Sequence, residues 1–185
     1  MTESLHTTPG QAGPRTPSNG RLRSRNPLYF EDLAVGDEFV TPARTVTESD
    51  VVTFAGLSGD FNSIHTDAIL AGGTAYGQRV VHGLLGLSIL TGLLDRLRLF
   101  DGTAIAMLGV REWNFVNPVF IQDTVHGRLL ITGLRRTRRG DRGIIERRLE
   151  LWNARDELCQ EGRIDLMIRC RDSVPPATLP AAEPI

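Results

Sequence analysis

Asp60 and His65 lie five residues apart in a segment that also contains glycine, serine and asparagine. A carboxylate and an imidazole that face each other can share one water molecule and transfer its protons, which is general acid–base chemistry. A tight loop after a helix allows both side chains to turn toward one point. The alternative is structural: Asp60 caps the next turn of helix and His65 makes a local hydrogen bond.

The flanking segments predict the elements that position this pair. Thr47, with Asp50 three residues later, is typical of a helix start, and Gly59 is typical of a helix stop. We predict a loop over residues 59–66 and a short helical turn over 67–71. From Val80 to Phe100 apolar residues occur on nearly every helical face, which indicates a long buried helix.

The apolar period changes to two after residue 102. Alternation predicts strands over residues 103–115, 124–135, 143–153 and 157–170, and an earlier strand over 37–46 that Pro42 interrupts. One antiparallel β-sheet wrapped around the long buried helix satisfies this plan and gives an α+β fold class.

Composition excludes several classes of protein. The 185 residues carry a formal net charge of -1, which argues against a protein that coats nucleic acid or an anionic membrane. No apolar run approaches the ~20 residues of a membrane span. Cys159 and Cys170 lack the spacing of a zinc site, and the absence of lysine excludes Schiff-base catalysis. We therefore expect a soluble, cytoplasmic protein without metal or cofactor.

Proline marks the borders of the folded part. Eight of the ten prolines lie at or before residue 27 or at or after residue 175. The terminal segments contain too few apolar groups to offset the entropy of ordering. We predict disordered tails over residues 1–27 and 172–185, and a single domain over 28–171.

The motif that contains the aspartate and histidine resembles the hydratase motif of the MaoC-like, (R)-specific enoyl-CoA hydratase family, which has the hot-dog fold. The string is Ser58-Gly59-Asp60-x-Asn62-x-Ile64-His65. Residues 29–37, 77–85 and 117–125 also look similar to family segments. Two residues depart from the pattern: Ser63 stands where the family usually has proline, and Gln122 where it favours glycine. Neither departure removes a catalytic group.

The resemblance implies reversible addition of water to a trans-2-enoyl thioester, giving the (R)-3-hydroxyacyl product. Asp60 and His65 would hold the water and move two protons, and their assignment as base and acid stays open. The backbone N–H of Gly83, in the first turn of the buried helix, would form the oxyanion hole. The alternative for Gly83 is close packing of helix on strand. Asn62, Ser58 and His82 would be supporting residues, whereas Thr91 would bond to its own helix.

Two other functions stay open: a hot-dog thioesterase, and a non-catalytic subunit that binds acyl thioesters.

Five arginines between residues 135 and 142 either form a solvated strand end or contact coenzyme A phosphates or an acidic carrier protein. An acyl-CoA or an acyl-carrier-protein thioester is the expected partner, and nucleic acid is not. Residues 72–76 are expected near the acyl pocket. Because a lone hot-dog domain exposes a strand edge, we expect a homodimer.

Overall fold

The computed structural model describes residues 27–172, so the predicted tails lie outside the described residues except for Pro27 and Asp172. The helices are α1 (Glu48–Ser58), α2 (Ser63–Thr66), α3 (Ala68–Gly72) and α4 (Gly83–Asp95). The strands are β1 (Glu38–Val40), β2 (Arg44–Thr45), β3 (Ala104–Phe115), β4 (Thr124–Arg136), β5 (Arg142–Asn153) and β6 (Leu158–Arg169). A 3₁₀ turn covers Phe30–Asp32.

The strands form one antiparallel sheet in the order β1-β4-β5-β6-β3, with β2 also paired to β4. Helix α4 packs against β4 and β5. The core includes buried leucines and isoleucines from α4 and from the facing strands: Leu85, Ile89, Leu90, Leu93, Leu129, Ile131, Ile145 and Leu149. The predicted architecture, an antiparallel sheet around a central helix, is confirmed.

The predicted strands are confirmed with bounds that shift by one or two residues. Pro42 divides the early strand into β1 and β2, since proline offers no N–H to the ladder. In β6 the residues Ile164 and Ile168 are buried whereas Arg163 is exposed, as the period of two predicts.

Two predictions about the helices are corrected. The central helix covers Gly83–Asp95 rather than residues 80–100, because Val80 and Val81 bond in extended conformation to the segment around Val119. One face of α4 is also exposed in the single chain, and it includes Leu84 and Thr91. The predicted loop at 59–66 contains one helical turn, α2, because Asn62 caps it by accepting from the Ile64 N–H.

Within the part of the chain that the structure describes, strand β3 forms one edge of the sheet and pairs only with β6. Large apolar side chains are exposed along it and just beyond it, at Ile105, Met107, Leu108, Val110, Phe115 and Val116. Within residues 27–172, no helix combines the length and apolar character needed to cross a membrane.

Candidate active site

Asp60 follows the end of α1, and the sharp turn at Gly59 places it. Thr47 caps the helix by accepting from the Asp50 N–H, and the Asp50 side chain accepts from the Thr47 N–H in return. Gly59 closes the helix at φ 78°, a left-handed conformation that glycine adopts without strain, and its N–H donates to Ala55 O. The chain therefore leaves the helix at a defined angle, and the next side chain is that of Asp60.

Local hydrogen bonds hold the Asp60 loop. The Asp60 N–H donates to Ser58 Oγ over 3.2 Å, and Ser58 Oγ donates to Phe54 O over 2.7 Å. Asp60 Oδ1 accepts from the Asn62 N–H over 3.2 Å. Ser58 and Asn62 thus act as loop braces, while Asp60 Oδ2 has no hydrogen bond to a described residue and the carboxylate stays 52% exposed.

His65 lies in α2 with its side chain 10% exposed. Its Nδ1 lies 2.8 Å from Val80 O, and because a carbonyl only accepts, Nδ1 carries the hydrogen and donates. In the neutral ring Nε2 is then an acceptor. Nε2 lies 4.0 Å from Asp60 Oδ2, so the predicted pair of side chains does face each other.

His82 joins the Asp60 loop to the start of α4. Its ring stacks on that of His65 with centroids 3.8 Å apart and 27° between the planes. Its Nε2 donates to Asp60 O over 2.9 Å, and its buried Nδ1 has no hydrogen-bond partner among residues 27–172. The stacked rings and this bond fix His65 and the Asp60 main chain relative to each other.

Asp60, His65 and His82 offer ligand atoms within 4.8 Å of one another, which raises the question of a metal site. Two of the four imidazole nitrogens, His65 Nδ1 and His82 Nε2, donate to carbonyl oxygens and are not available as ligands. A zinc site requires ligand atoms that converge on one point at about 2.0–2.1 Å. The arrangement suits proton transfer better than chelation.

Gly83 is the first residue of α4, so its N–H has no acceptor within the helix. A Cβ built on Gly83 would lie 2.6 Å from Cε1 of Phe115 on β3. Close packing of helix on strand, the alternative stated for this glycine, is therefore a real requirement at this position. Packing does not compete with an oxyanion role, because that role uses the backbone N–H.

One cavity of about 630 Å³ joins these groups. Asp60, His65, His82 and Gly83 all line it, and so does Ser58, whereas Asn62 does not. Of the segment 72–76, only Tyr76 reaches the lining. The remaining wall is mainly apolar: Phe54, Ile64, Val80, Val81, Leu84, Phe115, Val116, Pro118 and Val119, with Asn117 and Gln160 as further polar members.

Gln160 is a cavity residue that sequence reasoning missed. It lies on β6 and is 3% exposed. Its Nε2 donates to Gly83 O over 3.0 Å, and its Oε1 accepts from Trp113 Nε1 over 3.3 Å. The sequence does carry a signal for this residue. Gln160 lies on the inward face of the strand with Ile164 and Ile168, and a buried polar side chain there needs a hydrogen-bond partner.

Other candidate residues lie away from the cavity. Thr91 donates to Ser88 O, so it bonds within its own helix as predicted, although it is exposed rather than deep. Arg142, in the arginine-rich hairpin, pairs with Arg169 at one end of β6, and Gln160 at the other end pairs with Leu151. Nine residues of strand at about 3.3 Å each separate these ends. Within one chain, the hairpin therefore lies far from the cavity, as a solvated strand end would.

The two departures from the family pattern have different consequences. Ser63 lies in the first turn of α2, where its extra freedom in φ is compatible with the helix. Gln122 adopts φ 76° in the turn before β4, a left-handed conformation that costs a non-glycine residue about 1 kcal/mol or more. The preference for glycine at this position thus has a backbone reason.

Comparison with known proteins identifies the family. The family model described as MaoC like domain matches residues 31–151. Protein MaoC of Klebsiella aerogenes is 39% identical over 127 residues, which are 69% of this chain and 37% of that protein. An (R)-specific enoyl-CoA hydratase of Rhodospirillum rubrum is 37% identical over 106 residues, which are 57% of this chain and 71% of that protein.

A solved protein of Mycobacterium tuberculosis with a double hot-dog fold superposes with a TM-score of 0.68 at 21% identity, over 85% of this chain and 53% of that one. It supports the hot-dog fold that the resemblance implied. This chain spans only about a third of the MaoC protein and about half of the double hot-dog protein. The family match, the identity to the hydratase and the shared fold agree, and the chain belongs to the MaoC-like dehydratase family.

Proposed function

We propose that this domain is a lyase that adds water reversibly to a trans-2-enoyl thioester and produces the (R)-3-hydroxyacyl thioester. The observation that carries the proposal is the 4.0 Å separation of Asp60 Oδ2 and His65 Nε2 at the wall of one cavity that Gly83 also lines. Relatives named as an (R)-specific enoyl-CoA hydratase and a 3-hydroxybutyryl-CoA dehydratase support this reaction.

The separation suits a shared water. A water oxygen at a normal hydrogen-bond distance of about 2.8 Å from both atoms sees them at an angle of about 90° when they lie 4.0 Å apart. Both atoms are acceptors, because Asp60 is a carboxylate and the His65 hydrogen is on Nδ1. The water then donates both hydrogens to the protein, and a lone pair on its oxygen can attack C3.

Proton balance follows from this arrangement. Attack forms the bond between the water oxygen and C3, and one of the two acceptors removes a proton from the water. The C2–C3 double bond shifts its electrons toward C2 and the thioester oxygen. The side chain that removed the proton from the water then gives it to C2, directly or through the other member of the pair, so both side chains end in their starting protonation states. Hydration therefore needs no net uptake of protons. Which of Asp60 and His65 acts as base stays open.

Charge that develops on the thioester oxygen needs a donor. Gly83 supplies an N–H that no residue of its helix accepts, at the positive end of the α4 dipole. One donor of this kind typically lowers a barrier by ~3–4 kcal/mol. Gln160 binds Gly83 O and so holds the same peptide segment from the opposite side.

The test follows the loss of enoyl absorbance with crotonyl-CoA as substrate, in wild type and in the variants Asp60→Asn and His65→Gln. Each variant should lower kcat by at least ~100-fold, because each removes a proton acceptor while keeping a similar shape. Free thiol is measured in the same reaction. Thiol release would instead indicate the thioesterase reading.

Matched controls come from residues outside the cavity lining. Asp156→Asn changes an exposed aspartate in the turn before β6, and His126→Gln changes the histidine of β4. Both should keep wild-type turnover. Equal activity of wild type and both site variants would contradict the assigned roles, and an inactive wild type would be tested with longer and carrier-bound enoyl thioesters.

We further propose that the domain forms a homodimer through β3. The outer edge of β3 offers unpaired backbone groups, and the exposed apolar side chains of Met107 and Val110 lie on this strand. Phe115, at the end of β3, and Val116 line the cavity, so a second copy paired along β3 would lie close to it.

Light scattering at low micromolar concentration tests the dimer. Wild type should scatter as about 40 kDa, twice the 20.4 kDa of one chain. Met107→Lys should shift it toward the monomer, because the new charge lies on the exposed edge. Particles of only 20 kDa in the wild type would contradict the proposal.

A further inference from the structure

A second cavity lies near the C-terminal end of α4. It has a volume of about 200 Å³ and shares no lining residue with the cavity at Asp60. Most of its wall is apolar and comes from the end of α4 and the inner faces of the strands, including Leu94, Leu129, Leu149 and Leu166. One charged side chain of β5, Arg147, also lines it and is only 7% exposed.

Arg147 is buried with most of its donors unused. Of the five N–H donors of a guanidinium, Nε–H donates to Ile164 O over 2.8 Å, and the side chain makes no other hydrogen bond or ion pair to a described residue. Burial lowers the pKa of Arg147 to about 10, so the group is still a cation at neutral pH. The side chain is mostly removed from bulk water, while its two Nη groups keep accessible surface at the cavity. An anion in the cavity would bind these donors and offset the cost of burying the charge.

No carboxylate of a described residue lies within ion-pair distance of Arg147. Asp165 raises the pKa of Arg147 through space, but its Oδ2 bonds Arg111, and its buried Oδ1 has no hydrogen-bond partner among the described residues. At the cavity rim Arg98 pairs with Asp101 over 2.7 Å, and Asp95 is exposed, so water screens its charge. The last carbonyls of α4 are also occupied, since Leu94 O accepts from the Leu97 N–H and Asp95 O from the Arg98 N–H.

We propose that this cavity binds an aliphatic monocarboxylate of roughly six carbons, with the carboxylate on Arg147 and the chain on the apolar wall. The volume holds about seven water-sized groups at about 30 Å³ each, which matches a short chain. A single buried guanidinium and the carboxylates at the rim favour one negative charge over the two of a phosphate monoester.

Calorimetric titration of the full chain with hexanoate tests the site. Wild type should bind hexanoate more tightly than hexan-1-ol or hexan-1-amine, which have the same chain length without the negative charge. Arg147→Met should weaken hexanoate binding at least about 10-fold, because it removes a charge-assisted hydrogen bond. Arg148→Met is the matched control, since Arg148 is the exposed neighbour that binds Glu161, and it should leave the affinity unchanged.

A second variant keeps the test valid if Arg147→Met does not fold. Ala104 lines the cavity from β3, and Ala104→Leu would fill part of the volume while it leaves Arg147 in place. Hexanoate binding should weaken in this variant as well. Equal binding by Arg147→Met and wild type, no preference for hexanoate over hexan-1-ol, or tighter binding of butyl phosphate would each overturn the proposal.

The carboxylate can belong to a free acid or to the far end of an acyl group, and competition separates the two. Adipyl-CoA carries a terminal carboxylate on its acyl chain. If it displaces hexanoate, the site accepts the carboxylate of a thioester; if both bind together, the site accepts a free acid. Because hexanoate binding needs no turnover, this proposal and the hydratase proposal fail independently.

Discussion

The two ends of helix α4 border cavities of opposite construction. At the N-terminal end, three polar side chains are each tied to the main chain: Asp60 to Asn62 N, His65 to Val80 O and His82 to Asp60 O. At the C-terminal end, Arg147 is the buried charged side chain of the cavity and makes one hydrogen bond to a described residue. The other charged lining residues, Asp95, Arg98 and Asp101, are exposed. The N-terminal end is a preorganised site, in which hydrogen bonds already set the geometry of the side chains. The C-terminal end holds a positive charge that a ligand would have to pair.

This contrast predicts that substitutions at the first end lower stability and activity together. Gly83→Ala would place a Cβ 2.6 Å from Phe115 Cε1, and because this ring is 57% exposed and can shift, the overpacking costs about 1–2 kcal/mol of the free energy of unfolding. Displacement of the helix start should also lower kcat at least about 10-fold. Denaturant unfolding and crotonyl-CoA hydration measure the two effects.

The double variant Gly83→Ala, Phe115→Ala serves as the control. Alanine keeps the backbone N–H, and removal of the ring makes room for the Cβ. Stability should recover substantially, and turnover should recover in part, because Phe115 also lines the cavity. If stability recovered while turnover stayed lost, the contribution of Gly83 to catalysis could not be its backbone N–H alone.

Gln160→Leu should have the next largest effect. It would leave Gly83 O and Trp113 Nε1 without their partner, and an unsatisfied buried group costs about 1–2 kcal/mol. We expect lower kcat with little change in KM, because Gln160 positions the helix start. Glu161→Gln, on the outward face of the same strand, should change neither the stability nor kcat. An equal loss of kcat in both variants would argue against a specific positioning role for Gln160.

At the C-terminal end of α4, we expect a substitution to raise the free energy of unfolding rather than lower it. Arg147→Met should raise the free energy of unfolding by about 1 kcal/mol, because it replaces a buried, unpaired cation with an apolar side chain of similar length. Thermal unfolding without added carboxylate measures this change. A clear loss of stability would mean that Arg147 is a structural residue and that the contrast between the two ends is weaker than stated.

The smallest expected effect lies outside both cavities. Gln122→Gly should raise the free energy of unfolding by about 0.5 kcal/mol, since relief of the strain at φ 76° exceeds the entropy lost by glycine. Turnover should not change. Denaturant unfolding measures the gain, and Asp156→Gly, a second turn position with positive φ at 57°, should show a gain of the same sign. A loss of stability in both variants would contradict relief of backbone strain as the cause.

Sequence reasoning predicted the elements better than the contacts between them. The strands alternate with a period of two, and Thr47 and Gly59 mark the ends of α1, because both signals depend on residues close in the chain. The predicted start of α4 is wrong, since the apolar character of residues 80–82 reflects burial in an extended conformation. A buried extended segment and a buried helix give the same run of apolar residues in the sequence. Only the pairing with the segment around Val119 distinguishes the two.

The sequence predicted that Asp60 and His65 could turn toward one point after the helix that Gly59 ends, but it left a structural role for both open. The Asn62-capped turn and the 4.0 Å separation came from the structure. The stacking of His82 on His65, the Gln160 bond to Gly83 and the isolation of Arg147 were decided only by tertiary structure. Each of these depends on the register of distant strands or on the approach of α4 to the sheet. Local patterns determine what a segment can form, and packing determines which groups then meet.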